Sequence, residues 1–502
     1  MSCTTILAGK NASYDGSTII ARNDDAGGIR FTPKRFTVFQ PEEQPEIYRS
    51  VLSHAEIRLP GNPMRITAVP DALLQKGIWA ACGVNEANVA MTATETITSN
   101  ERVLGADPMV VYQPAALSRP EKAGGIGEED LVMLVLPYIR SAREGVVRLG
   151  GLLAEYGTYE ANGIAFQDVN EIWWLESVGG HHWIARRVPD DAYVVMPNQL
   201  GIDSFDLADA YGAKKEYMCS PDLQEFIREN HLAVIEDQFN PRDVFGSHTD
   251  ADHVYNTPRA WFIERFLNPH TYSWDGPDAD FTPESDDIPW CAVPEKRITI
   301  EDIKYLLSSH YQGTPFDPYG SYGDPSERGI YRPIGINRND FLGLIQIRPY
   351  MPEAFRTIEW LTFASNAFNA LVPFYANINR VPEYLSNTGE DVSTDSFSWM
   401  NRCISVLADA HYAQCLPHIE RYQMAVQSGG RASVIKYDRL LKDALHGENP
   451  DIKAAPASAA ALCEEANQEI ADMLQKETQS VLNKLVFEGS CKMKNAYSRS
   501  DN

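Results

Sequence analysis

Chemistry in this chain is most legible at its start. Cys3 opens an apolar run, Thr4-Thr5-Ile6-Leu7-Ala8, and a second run, Thr18-Ile19-Ile20-Ala21-Arg22, follows after Asp15-Gly16. Both runs read as β-strands, and the Asp-Gly between them as a hairpin turn. If Lys10 faces Ser17, paired positions sum to 27, so Thr5 opposes Arg22 and Cys3 opposes Asp24. Arg22 and Asp25 then fall close to Cys3. A thiolate is the reactive form of cysteine, and a neighbouring cation lowers the thiol pKa. If the residues before Cys3 are removed, its α-amine, with a reference pKa of roughly 7.7–8.0, can serve as base for its own side chain. Asp25 would then hold that amine and Arg22 the surroundings of the sulfur. Geometry alone leaves a second reading open, in which Cys3 is a small buried residue beside a surface ion pair.

The elements that must position this hairpin read as follows. Residues 76–81 and 88–94 form a strand pair, with Gly83 and Asn85 in the turn. Residues 127–146 have helical apolar spacing with Glu128, Glu129 and Asp130 at the start and basic residues late, which suits the helix dipole. Pro137 bends that helix, and a second follows over 147–156 with Gly157 as its stop. Four strands come next, 163–169, 171–176, 182–187 and 192–196, and Trp173 and Trp174 are core. Helices are expected near 222–230 and 258–266, a long surface loop over 268–295, and strands over 342–348, 357–364 and 370–377. From about 396 the pattern is helical, and 457–485 is a helix of several turns. Strands and helices alternate in blocks, so the expected class is α+β, two stacked antiparallel sheets with helices outside. The expected division is a catalytic domain with insertions over 1–395 and a mainly helical C-terminal region, 396–502, packed on it.

Bulk properties bound the function. The 502 residues carry a formal net charge of −25. Such acidity disfavours nucleic acid and anionic membrane surfaces as partners. The first ten residues do not read as a signal peptide, and no apolar stretch is long enough for a transmembrane helix. Eight scattered cysteines resemble neither a disulfide framework nor a zinc ribbon, so a cytoplasmic, reducing setting is expected. His181 and His182 would point to opposite faces of a strand with no third ligand, so no metal and no cofactor are expected. The expected partner is a small molecule, with association into a homo-oligomer.

Cys3-Thr4-Thr5-Ile6, Gly9-Lys10, Asp15-Gly16-Ser17 and Ala21-Arg22-Asn23-Asp24-Asp25 together resemble the opening of the dipeptidase A-type cysteine peptidases, N-terminal-nucleophile hydrolases related to penicillin V acylase and bile salt hydrolase. Similar blocks recur at Gly180–Trp183, with Arg187, Pro189-Asp190-Asp191 and Pro197-Asn198-Gln199-Leu200, and at Tyr255–Arg259 with Phe266–Pro269. The resemblance covers the chain to about residue 485 and implies an αββα four-layer sandwich. It implies Cys3 as nucleophile, Arg22 and Asp25 as its flanking Arg-x-x-Asp, Asn198 as oxyanion donor and Arg259 as a later catalytic arginine. A second oxyanion donor would come from the strand Val89–Glu95, where residues 91–95 leave open whether Thr92, Ala93 or Thr94 supplies it and whether the group is a backbone N–H. Hydrolysis of dipeptides through a Cys3 thioester is the function implied. A bile-salt or penicillin-type amidase, or a non-catalytic secernin-like protein, are the alternatives. Arg22, Arg187 and Arg259 are the candidates for a substrate carboxylate. Ser2 intervenes between Met1 and Cys3, so both must be removed, Ser2 by self-cleavage.

Overall fold

A computed structural model describes residues 3–27, 31–234, 238–446 and 456–493. Trp173 and Trp174 are adjacent in one strand and both are fully buried. Successive side chains of a strand leave on opposite faces, so both faces of this sheet must be covered. Ile172, Trp174 and Val178 point into the space between two sheets, while Trp173 and Leu175 pack with Leu149 and Leu153 of an outer helix.

Two large antiparallel sheets build the molecule. One has seven strands in the order Cys291–Ala292, Tyr193–Met196, Thr4–Ala8, Thr18–Asp25, Asn339–Ile347, Thr357–Phe363, Val372–Tyr375. The other has eight, in the order Tyr217–Cys219, His182–Arg187, Ile172–Val178, Asn162–Gln167, Ala90–Thr96, Cys82–Asn85, Ile66–Ala68, Thr37–Phe39. The helix Ala142–Tyr156 covers the outer face of the eight-stranded sheet. The helices Phe397–Ala410, Tyr412–His446 and Pro456–Cys491 cover the last strands of the other. The class is α+β, a layered sandwich with a helical C-terminal region.

The first hairpin has the expected register: Thr5 pairs with Arg22 and Thr4 with Asn23. Elsewhere the structure corrects the sequence reading. Gly83 and Asn85 lie within the strand Cys82–Asn85 rather than in a turn, and its partner runs Ala90–Thr96. The single helix expected over 127–146 is broken. A buried five-residue helix, Leu131–Val135, passes into a 3-10 turn, Leu136–Tyr138, and a new helix starts at Ala142. Pro137 lacks the N–H that would continue the ladder, and Ser141 caps the new start by accepting from Glu144 N. Glu128, Glu129 and Asp130 are buried rather than solvated at a helix start. Glu129 accepts from Val51 N at 2.6 Å and Leu52 N at 2.9 Å, tying down a loop. Gly157 ends the helix Ala142–Tyr156 as expected, at φ +68°, a left-handed conformation that favours glycine.

The fourth strand of the central block does not extend the meander. Tyr193–Met196 crosses to the seven-stranded sheet and pairs with Thr4–Ala8, Thr5 opposite Met196. That crossing brings the Pro197-Asn198 segment to Cys3.

Candidate active site

The hairpin sorts its own residues by alternation. Arg22 faces the eight-stranded sheet, where its Nε and Nη2 donate to Thr94 O at 3.0 and 2.7 Å. Thr5, across from it, shares that face and donates to Glu95 Oε1 at 2.5 Å. Asn23 faces the other way and donates to Leu307 O at 2.9 Å, in the helix Ile300–Leu307.

Cys3 is fully buried and its Sγ accepts from Arg22 Nη2 at 2.9 Å. Burial pushes the thiol well above its ordinary range; Arg22 opposes this, and Glu95, Asp24 and Glu128 add to it. Arg22 is clamped in turn. Glu128 Oε1 accepts from Nη2 at 2.6 Å, Ala81 O from Nη1 at 3.4 Å, and Asp24 lies 3.5 Å away. A second cation backs Asp24: Lys34 Nζ lies 2.7 Å from it and 2.9 Å from Asp71. Cys3, Asp24 and Glu128 present ligand atoms within 4.8 Å of one another, the one such grouping among the described residues. The Arg22 guanidinium touches all three, so a metal ion here would have to displace it.

Asp25, fully buried, accepts from Arg332 and from Asn339 Nδ2, the latter at 2.9 Å. Alternation puts its side chain on the face opposite Arg22 and Asp24. The hairpin therefore brings Arg22 to the thiol side chain, with Glu128 and Asp24 around it, and commits Asp25 to Arg332.

Asn198 follows Tyr193–Met196, and continuing the Thr5–Met196 register by two residues sets it level with Cys3. Its amide is oriented by its partners. Nδ2 donates to Thr96 O at 3.0 Å and lies 3.4 Å from Glu95 Oε2, while Oδ1 accepts from Arg259 Nη2 at 2.8 Å. Arg259, in the helix Thr257–Leu267, is fully buried. It also donates to Cys3 O, to Thr4 Oγ1 at 2.7 Å and to Asn256 Oδ1 at 2.7 Å. Burial, then the nearby Arg332, pulls its pKa down to about 10. Arg259 thus joins the backbone of Cys3 to the side chain of Asn198. In the segment 92–94, Thr92 Oγ1 accepts from Ala165 N at 3.1 Å, the Thr94 carbonyl is taken by Arg22, and Thr94 Oγ1 is buried without a hydrogen-bond partner.

Sequence reading did not place Glu128, Lys34 or Arg332 at this site, and it reached Glu95 only as the end of the strand expected to carry the second oxyanion donor. Glu128 had a usable signal, three successive acidic residues ahead of a fully apolar pentapeptide. His181 and His182 also correct their reading. His181 lies just before the strand His182–Arg187, so alternation does not separate the pair, and both Nδ1 atoms meet Asp107, at 2.8 and 2.7 Å. Arg187 is engaged by Glu171 and Asp190 at 3.1 and 2.6 Å. Among the described residues no helix is long and apolar enough to cross a membrane.

Sequence comparison gives the family. The profile of peptidase family C69 matches residues 2–425. A dipeptidase from Bifidobacterium longum is 54% identical, with all of both chains covered. A probable dipeptidase A from Streptococcus pyogenes is 50% identical over all of both chains. Dipeptidase A from Lactobacillus helveticus is 41% identical over 97% of this chain and 96% of its own length. The chain belongs to peptidase family C69, and it is a peptidase.

Proposed function

We propose that the chain hydrolyses dipeptides with Cys3 as an N-terminal nucleophile, after removal of the residues that precede it. The observation that carries this reading is the 2.9 Å contact between Cys3 Sγ and Arg22 Nη2, in a guanidinium fixed by Glu128. The printed names of the relatives, dipeptidase and dipeptidase A, support the substrate class. The Cys3 amine takes the thiol proton and sulfur attacks the peptide carbonyl carbon. A C–S bond forms, and the carbonyl electron pair moves to oxygen beside Asn198 Nδ2. Collapse breaks the C–N bond, and the departing amine carries off the proton held by the Cys3 amine. Water then attacks the thioester, giving its proton to the Cys3 amine. The C–S bond breaks, the thiol is restored, and one dipeptide and one water have become two amino acids. Neither metal nor cofactor enters this sequence. The eight cysteines are all free thiols, which supports a cytoplasmic setting.

The test has two readouts. Intact mass of the purified protein reports its N-terminus, and Cys3 at the first position is the expected result. A panel of dipeptides, penicillin V and a glycine-conjugated bile acid reports the substrate. Preference for either acylated amine would replace the dipeptide by the amidase reading, and an N-terminus that retains Ser2 in active protein would remove the amine as base.

A further inference from the structure

We propose that Glu95 is a further catalytic residue, whose carboxylic acid donates alongside the Asn198 amide to the oxyanion formed when Cys3 is acylated. This rests on the Cys3 mechanism above and supplies a second donor that the segment 92–94 does not identify.

Local geometry turns Glu95 toward the site. Met91 and Ala93 pack in the outer layer with Leu131 and Leu134. Regular alternation would send Glu95 to that same apolar layer. Pairing with Asn162–Gln167 shifts between Met91 and Thr94, a β-bulge, and beyond it the Glu95 side chain emerges between the sheets. There it is fully buried. Thr5 Oγ1, one alternation from Cys3, donates to Oε1 at 2.5 Å. That leaves Oε2 beside Asn198 Nδ2 at 3.4 Å. Asn198 Nδ2 donates across this separation, so in the resting site Glu95 accepts on both oxygens, and an oxyanion entering between Nδ2 and Oε2 would replace that long contact.

An ionised carboxylate only accepts; a protonated one has an O–H to give. The charged and titratable groups acting on Glu95 are Arg22, Arg259, Asp25 and Cys3. Burial pushes its carboxyl up to about 8 despite both arginines, so the acid keeps its proton at neutral pH. A carboxylic acid held neutral by an apolar site is an established form of oxyanion donor. The proton stays on Glu95 throughout: its O–H hydrogen-bonds to the oxygen as the C–S bond forms and the carbonyl pair moves there, and that hydrogen bond weakens when the C–N bond breaks and the carbonyl is restored.

Glu95→Gln keeps a neutral donor that does not titrate, and Glu95→Ala keeps none. With kcat and KM measured on one dipeptide from pH 6 to 9.5, Glu95→Ala should lower kcat by about 10²–10³-fold with little change in KM. Glu95→Gln should lose only a few-fold, and the fall of wild-type kcat above about pH 8 should vanish in it. A Gln variant as inactive as the Ala variant would show that a charged carboxylate is needed and overturn the proposal. So would an Ala variant within a few-fold of wild type. If the Ala variant does not fold, the Gln variant decides alone: persistence of the alkaline fall overturns the proposal. Should the wild type cleave an acylated amine instead of dipeptides, the same comparison on that amide decides Glu95, so the two failures remain distinct.

Discussion

One nitrogen of Arg22, Nη2, donates at 2.9 Å to Cys3 Sγ and at 2.6 Å to Glu128 Oε1. The carboxylate holds the guanidinium, and the guanidinium holds the sulfur. Because Glu128 is buried against Arg22, removing Arg22 strands the carboxylate's charge, whereas Arg22 keeps Asp24 at 3.5 Å if Glu128 is removed.

Arg22→Met removes the cation that favours the thiolate. The Cys3 thiol, already raised by burial, should rise further, since a cation lowers a thiol pKa and its loss does the reverse. Less thiolate is then present at any given pH. Iodoacetamide labelling of Cys3 at pH 8, followed by peptide mass mapping, should slow at least tenfold. Equal labelling in both proteins would count against the pair.

Cys3→Ala should abolish dipeptide hydrolysis and leave the preceding residues uncleaved, with circular dichroism unchanged. Wild-type activity should fall with iodoacetamide and persist in EDTA. Loss of activity in EDTA with recovery on adding zinc would direct attention to the Cys3, Asp24 and Glu128 grouping instead.

Asn198→Ala removes an amide that its partners already orient. It should lower kcat by about 10²–10³-fold, roughly 3–4 kcal/mol of barrier, and raise KM far less, because the oxyanion exists only near the transition state. Steady-state kinetics on a dipeptide series separates the two parameters.

Lys304 offers a stability prediction remote from the chemistry. Its Nζ donates to Ser308 Oγ at 2.6 Å and Asn366 O at 2.7 Å, and burial pulls its pKa down to about 7. The unfolded chain holds that proton to about pH 10.4. Between these values the unfolded state binds more protons, so Lys304 makes stability rise with pH, by up to about 1.4 kcal/mol per unit. Lys304→Met removes that slope. Its stability relative to wild type should be highest near pH 7 and shrink toward pH 10, as read from urea unfolding at pH 7, 8 and 9.

Much of this protein is local and therefore legible in its residues. Asp15-Gly16 marks a reversal between two apolar runs, and supposing Lys10 opposite Ser17 gives the observed pairing of Thr5 with Arg22; residues 9–17 form the connection, so that register is not dictated by a two-residue turn. Gly157 marks a helix end because few other residues accept its φ. The family blocks around Asn198 and Arg259 could be named because their motifs are contiguous. Non-local relationships decided the rest. Nothing in Tyr193–Met196 states that it leaves the meander for the other sheet, yet that crossing is what sets Asn198 level with Cys3. Glu128, Glu129 and Asp130 carry the composition of a solvated helix start, and only packing shows that each is buried against a separate partner. Asp25 lies near Cys3 by chain distance, yet no local pattern announces that Arg332, 307 residues away, donates to its carboxylate. Glu95 depends on a bulge, a one-residue slip in pairing that leaves no trace in the residue pattern and decides which face a carboxyl enters. Local propensity sets the strands and their turns; which strands become neighbours, and which charges they enclose, is settled only when two sheets close on each other and most buried polar groups must find partners.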